Sequence, residues 1–380
     1  MKHISIFLLS LLMLCVACDS SIHDDIDKQI AVKGDLIYKS IAIFDGKPRA
    51  LNFEVFLFDK YLQKIAPDAA PDVTRRRILE AALAFGINEI QGVGISSELV
   101  TQNLVRNRSF VAVPRVGIFN MLGTKEMTIE EFAALAPKNA IVASAMYIDL
   151  AAMSAELRKT ETFASAFDRI IAETEVDFLS KFNAQKPLIF IVAPEASEAS
   201  GELPIPIPIS FYLTMSFTAP PAELIGSGMD EFEQNEDGTF TLNPEHVPTG
   251  KLLLSPDGDG TKLEVFYGTM DSSEKLTDND IFKEYAALLA CRKGMGASFI
   301  NAAELMKVLQ ENTEMPFDIS REMPSQLGIA CVSKSGILSE AITGEDMIAN
   351  EAGMNTLVTI ATMITPTVIA GIERGVMAEE

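Results

Sequence analysis

The segment that decides the fold is a predicted β-hairpin, KLLLSPDGDGTKLEVFYG, at residues 251–268. Two runs of strand-forming residues flank SPDGDG, in which Pro, Asp and Gly supply turn chemistry. A second hairpin has the same design, because Glu236, Asp237 and Gly238 separate DEFEQ from TFTLN. Consecutive hairpins require antiparallel strands, so the pattern disfavours a purely parallel doubly wound sheet.

Strand-like runs that lead directly into helix-like runs recur along the chain. An apolar strand ends at Asp59, at Asp149 and at Asn301, and a helical segment follows at once. A side-chain oxygen at such a position caps the first free amides of a helix. A less regular example of this strand-to-helix pattern has Thr218 as the capping residue, ahead of two prolines. We therefore predict an α+β fold of antiparallel sheets with helices packed on one side, and the repeats leave open two or three related β-α lobes.

The chain divides into four predicted parts. The alternation of Pro and Ile in LPIPIPIS, residues 203–210, predicts an edge strand or an extended connector. We place a boundary between two lobes just before this segment, where the residues are small and polar. Further helices are predicted at 73–85, 129–135, 151–182 and 280–289. The predicted parts are a signal peptide (1–17), an acidic tether (18–35), an N-terminal α+β lobe (36–200) and a C-terminal α+β lobe (201–380).

Charge and composition limit the classes of function. The 380 residues carry a net charge of −22 and are 48% hydrophobic, which is typical of a folded, acidic protein. Such a surface repels phosphate backbones, so we predict no nucleic-acid partner. Trp is absent and His occurs three times, which disfavours His-based catalysis.

The first residues predict export. Residues 4–16 contain no charge and follow a basic start, which matches the apolar region of a signal peptide. The stretch Cys15-Val16-Ala17-Cys18 resembles the lipobox of bacterial lipoproteins, although Cys15 stands where Leu is usual. The resemblance implies cleavage between Ala17 and Cys18 and attachment of acyl chains such as palmitate to Cys18. It also implies a cell-envelope protein held on a membrane, facing the periplasm or the exterior. A secreted protein cut nearby is the alternative.

The remaining cysteines are Cys291 and Cys331. An exported protein meets an oxidising compartment, so these two residues are a candidate disulfide that would close a loop of about forty residues. Both lie in apolar runs, and two buried free thiols are the alternative.

No catalytic or metal-binding pattern emerges from the residues. The His and Cys residues are scattered without ligand spacing, and Ser272 and Lys275 match S-x-x-K only in isolation. We predict no cofactor and no metal, and we favour a non-enzymatic binding, structural or assembly role with an envelope protein or lipid as partner. A carrier with an apolar cavity for a lipid or small ligand, and a hydrolase with an unrecognised active site, are the alternatives.

The carboxyl-terminal region contains a long apolar run. Residues 354–372 carry no charge, and this uncharged run is long enough for a membrane span. Five Thr, one Asn and one Pro lie within it, and one Arg flanks it. This composition favours a buried or lobe-bridging helix over a span.

Overall fold

The computed structural model describes most of the chain between Ser20 and Gly344. The described residues are 20–43, 89–113, 119, 122, 125–174, 176–196, 208–243, 250–312 and 324–344. Their strands are β1 (Asp35–Ile43), β2 (Gly92–Leu99), β3 (Leu104–Ala112), β4 (Met127–Thr128), β5 (Val142–Met146), β6 (Leu188–Pro194), β7 (Ile209–Phe217), β8 (Phe232–Gln234), β9 (Phe240–Leu242), β10 (Gly250–Asp257), β11 (Gly260–Tyr267), β12 (Lys293–Gly294), β13 (Gly296–Ile300), β14 (Gln326–Val332) and β15 (Gly336–Gly344).

Helices connect many of these strands. Two short 3-10 helices, Gly226–Glu231 and Leu276–Asp278, accompany them. The α-helices of the described residues are α1 (Ser20–Gln29), α2 (Ile129–Leu135), α3 (Leu150–Leu157), α4 (Glu161–Thr174), α5 (Pro221–Ile225), α6 (Asp280–Leu288) and α7 (Ala302–Asn312).

One large antiparallel sheet organises the molecule. Its thirteen strands lie in the order β1-β2-β3-β15-β14-β13-β5-β6-β7-β11-β10-β9-β8, and β4 pairs separately with β12. The predicted combination of helices with antiparallel sheet is therefore confirmed. Pairs of strands that are remote in sequence, such as β3 with β15, lie side by side in the sheet.

The main core lies on one side of the sheet, here called face A. Because side chains alternate along a strand, the register places Phe299, Ile191 and Ile329 on this face. Helices α2 and α6 cover it: the ring of Phe282 lies 6.3 Å from that of Phe132 and 5.6 Å from that of Phe299. The core of the described residues is therefore a layer between these helices and the centre of the sheet.

The opposite side, face B, is also partly covered. Leu224 of α5 packs with Phe182 and Phe217 against Met215 and Leu263, which point to face B. Helices α1, α2 and α6 contact face A and α5 contacts face B, so the predicted packing of helices on one side is not confirmed. The reason is that Met215, Phe217 and Leu263 emerge on face B at this end of β7 and β11, whereas the face A positions there are polar.

Local predictions agree closely with the structure. Helix α2 covers the predicted residues 129–135, and β8 with β9 and β10 with β11 form the two predicted hairpins. The hairpin turns place Gly238 and Gly258 at φ values of 80° and 64°, a region that favours glycine. Asp149 and Asn301 accept hydrogen bonds from backbone amides three residues later, as the capping pattern predicts.

Two predictions about the middle of the chain differ from the structure. Thr218 does not cap a helix: its hydroxyl donates to the carbonyl of Lys181, and α5 begins after Pro220 without a side-chain cap. Ile209 and Ser210, the end of the segment predicted as an edge strand or an extended connector, begin β7, which lies between β6 and β11 and is not an edge strand; the connector alternative for residues 203–207 lies outside the described residues. The predicted lobe boundary at 200/201 therefore falls between two paired strands of one sheet.

Several predictions lie outside the described residues. They concern the signal peptide, the cap at Asp59, the helix at 73–85, the prolines of 203–207 and the apolar run 354–372. Within the part of the chain that the structure describes, no helix is long and apolar enough to cross a bilayer.

Candidate functional site

The predicted site residues are distributed between the two ends of the chain. Ala17 and Cys18, the predicted cleavage and lipidation residues, lie outside the described residues, which begin at Ser20. Cys291 and Cys331, 40 residues apart, are joined by a disulfide. This bond connects the segment after α6 to β14 on face A, so it ties a core helix to the sheet.

The segment predicted as a tether is largely a docked helix. Residues 20–29 form α1, and the side chains of Ile26 in the helix and of Ile30 directly after it are fully buried against face A of β2 and β3. The helix lies directly on glycine: a Cβ added to Gly92 would be 2.7 Å from Ile26 Cδ1, and one added to Gly94 would be 2.9 Å from Ile30 Cδ1. The glycines at these positions thus allow the close approach of α1 to the strand.

The turn after α1 is held by buried charged side chains. The Glu98 carboxylate accepts hydrogen bonds from the backbone amides of Lys33 and Gly34, each at 2.7 Å. The Arg108 guanidinium donates to the carbonyl of Ala31. Two backbone amides and one backbone carbonyl of residues 31–34 are therefore hydrogen-bonded to side chains of the sheet.

These side chains belong to a network of four charges, which we call the N-terminal clamp: Glu98, Arg106, Arg108 and Glu340. Arg106 pairs with Glu98, and Arg108 Nε lies 3.1 Å from Glu340 Oε2. Glu340 also accepts from the amide of Ala290, beyond the end of α6. The four side chains are between 1% and 12% exposed, and their charges cancel.

The state of Glu98 follows from this environment. Burial by itself raises the pKa of its carboxyl, but hydrogen bonds from the Gly34 amide, the Arg106 guanidinium and the Lys33 amide outweigh burial and lower the pKa below its ordinary 4.5. The clamp therefore holds a stable carboxylate with its partners in place. Such an arrangement suits attachment of a segment and not acid–base catalysis.

An aromatic surface lies on the other side of the sheet. On face B of β6, β7 and β11, the rings of Phe190 and Phe211 are 39% and 36% exposed. Phe211 pairs across strands with Tyr267, and their rings stack with centroids 5.4 Å apart and planes 9° apart. We define the aromatic surface as Phe190, Phe211 and Tyr267 together with the half-buried Val192, Leu213 and Val265.

The contrast between the two faces marks this surface as unusual. The neighbours of Phe190 and Val192 that point to face A, such as Ile191 and Ala193, are 3% and 0% exposed. On face B, the same strands present apolar side chains to solvent, and the adjacent Ser298 is exposed as well. Contiguous exposed apolar side chains on a folded protein indicate a binding surface.

A polar cluster on face A offers no activated group. Tyr212 donates to Glu264 Oε1 at 2.7 Å, and Lys262 Nζ lies 2.6 Å from the same oxygen. Burial and the hydrogen bond to Glu264 raise the pKa of Tyr212. Burial lowers the pKa of Lys262, but the hydrogen bond to Glu264 and the interactions with Tyr212 together outweigh burial, and the pKa is raised. Both groups keep their protons at neutral pH, so neither is prepared as a base or a nucleophile.

The motif Ser272–Lys275 is not assembled into a site either. Ser272 lies in an exposed loop, and no hydrogen bond joins it to Lys275 in the described structure. Among the residues that the structure describes, no three His, Cys, Asp or Glu side chains come together as metal ligands.

The N-terminal clamp and the aromatic surface were both missed in the sequence. A signal for the clamp exists, because LVRNRSFVA places two Arg at alternate positions and GILSEAITG places one Glu inside an apolar strand. Neither segment indicates its partner, which is 232 residues away in the case of Arg108 and Glu340. No family model, no curated protein and no solved structure matches this chain.

Proposed function

We propose that this chain is a lipid-anchored lipoprotein of the bacterial cell envelope whose folded part binds another envelope protein through the aromatic surface. The observation that carries the binding role is that the exposed ring of Phe211 stacks on the half-buried ring of Tyr267 beside the exposed Phe190. The anchoring role is supported by the lipobox-like sequence that ends at Cys18. The role is non-enzymatic.

The anchor joins the folded part through a very short link. Only Asp19 separates Cys18 from the start of α1 at Ser20, and α1 is buried on the sheet through Ile26 and Ile30. A lipid on Cys18 would hold the sheet close to the bilayer, on the periplasmic or external side. The docked helix thus replaces most of the flexible spacer that the acidic composition of residues 18–35 predicts.

A protein suits the aromatic surface better than a bilayer does. Aromatic side chains are enriched at the centres of protein interfaces, where flat rings bury a large area at low entropy cost. The net charge of −22 opposes contact of this chain with anionic lipid headgroups. A protein partner with an apolar centre and a basic rim would complement both the rings and the charge.

The aromatic surface and the Tyr212 cluster do not favour the two alternatives. A lipid carrier would enclose its ligand, whereas Phe190 and Phe211 lie open on a sheet face. A hydrolase would need an activated nucleophile or base, and the Tyr212 cluster keeps its protons.

The order of elements supports two related β-α units. One unit runs β2-β3-α2-β5, followed by α3, α4, β6 and β7, and the other runs β10-β11-α6-β13-α7-β14-β15. In the sheet, β5 and β13 are central neighbours. Outward from β5 the order is β6-β7-β11-β10, and outward from β13 it is β14-β15-β3-β2, so each unit contributes strands at equivalent places on the two sides. Asp149 and Asn301 cap the helix at the same point of each unit. Each hairpin then lies beside the other unit, because β11 pairs with β7 and β3 with β15.

The anchor is tested by metabolic labelling with palmitate. The wild-type chain should incorporate label and fractionate with membranes, and the Cys18→Ser variant should do neither. The matched control replaces both Cys291 and Cys331 by Ser, since it also removes cysteine sulfur, leaves no unpaired thiol of the disulfide and should keep the label. Absence of label in the wild type would overturn the anchor.

The binding surface is tested by a photo-crosslinking amino acid placed in living cells. Placed at Phe211, it should give a protein adduct of one defined mass, and the additional change Phe190→Ser should abolish that adduct. Met229, which is 40% exposed and outside the aromatic surface, is the control position. Equal yields from positions 211 and 229, or adducts with lipid alone, would overturn the proposal.

A further inference from the structure

A second site lies apart from the aromatic surface, between the β2–β3 turn and α6. It is an open pocket with a volume of about 520 Å³. Its apolar floor is formed by Leu104 and Tyr285, each only 7% exposed, and Ile281 adds an apolar wall. The turn residues 101–103 form the opposite rim.

The polar groups of the pocket favour a cation. Glu284 is the one charged side chain that lines it, and Glu284 makes no ion pair within the described residues. The turn residues Thr101, Gln102 and Asn103 also line it; the Thr101 hydroxyl accepts from the Asn103 amide at 3.4 Å, and the side-chain amides of Gln102 and Asn103 carry oxygens that can accept hydrogen bonds. The nearest buried guanidinium along the chain, Arg106, already pairs with Glu98.

Tyr285 supports the same conclusion. Its ring is buried, and its hydroxyl has no hydrogen-bond partner within the described structure, so it is available to a ligand. Burial raises the pKa of Tyr285, and the nearby Glu284 carboxylate raises it further. The negative charge of Glu284 therefore acts on the Tyr285 hydroxyl and disfavours an anionic ligand beside it.

We propose that this pocket binds a small organic cation, a primary alkylammonium with a short apolar stem. The ammonium group donates hydrogen bonds to the Glu284 carboxylate and to the oxygens of the turn. The stem lies on Leu104 and Ile281, and the cationic end can also reach the face of the Tyr285 ring. A cation of this kind gains from charge and from apolar contact at once, and neither a neutral alcohol nor a carboxylic acid does.

The probe is n-pentylamine, followed by ligand-observed NMR on the full-length protein. Binding should be saturable, and n-pentanol and pentanoate of equal chain length should bind at least about fivefold more weakly, as expected for loss of one charge interaction near a surface. Glu284→Gln should raise the dissociation constant for n-pentylamine by the same factor. Since Glu284 is exposed, this variant is expected to fold normally.

Glu233→Gln is the matched control, because it removes one negative charge from an exposed position on β8. It should change the dissociation constant by less than about twofold, the size expected for a screened distant charge. The proposal is overturned if n-pentylamine does not bind, if n-pentanol binds equally well, or if the two Gln variants behave alike.

Discussion

Glu340 offers the sharpest test of the N-terminal clamp. Its side chain is 1% exposed and accepts from Arg108 at 3.1 Å and from the amide of Ala290. The change Glu340→Gln preserves shape but leaves two guanidinium groups, on Arg106 and Arg108, facing the single carboxylate of Glu98. Removing one partner of a buried charge network costs about 3–5 kcal/mol. We therefore expect Glu340→Gln to lower the free energy of unfolding by that amount.

Urea denaturation followed by far-ultraviolet circular dichroism measures this change, since the chain has no Trp to report by fluorescence. Glu304→Gln is the control, because Glu304 pairs with Lys307 on a helix surface and such pairs contribute about 0.3–0.5 kcal/mol. A double-mutant cycle with Glu340→Leu and Arg108→Met should show a coupling free energy of about 2 kcal/mol or more. If Glu340→Gln costs no more than Glu304→Gln, the clamp does not hold the fold together.

Three further predictions address the helix, the pH dependence and the disulfide. Gly94→Ala should push α1 away from β2 and lower the unfolding free energy by about 1–3 kcal/mol. It should also make residues 31–34 accessible to limited proteolysis. A cleavage pattern like that of the wild type would contradict the packing of α1 on Gly94. Because the pKa of Glu98 is below its ordinary 4.5, its stabilisation is present above that pH and is lost as the pH falls through the lowered pKa. Urea titrations below pH 4.5 should then show a smaller loss for Glu98→Gln than for the wild type, and identical losses would refute this. Replacing both Cys291 and Cys331 by Ser should cost about 2–4 kcal/mol, measured against the wild type with and without reductant.

Much of the local structure could be predicted because its causes are local. The turn residues of the two hairpins and the side-chain caps at Asp149 and Asn301 act within three or four positions of the chain. Thr218 shows the limit of this reasoning, since it has a capping side chain but donates to Lys181, 37 residues away. The fold brings the Lys181 carbonyl close to the Thr218 hydroxyl, and this hydrogen bond takes the place of a helix cap.

The sequence by itself determined the helix at Ile129–Leu135, the hairpins and hence the antiparallel sheet, because turns and caps are short-range effects. Only the tertiary structure decided that α1 is docked, that β7 is an interior strand and that Phe190, Phe211 and Tyr267 share one face of the sheet. These features depend on which strands become neighbours. Arg108 and Glu340 meet across 232 residues only because β3 and β15 pair, and no local pattern encodes that pairing.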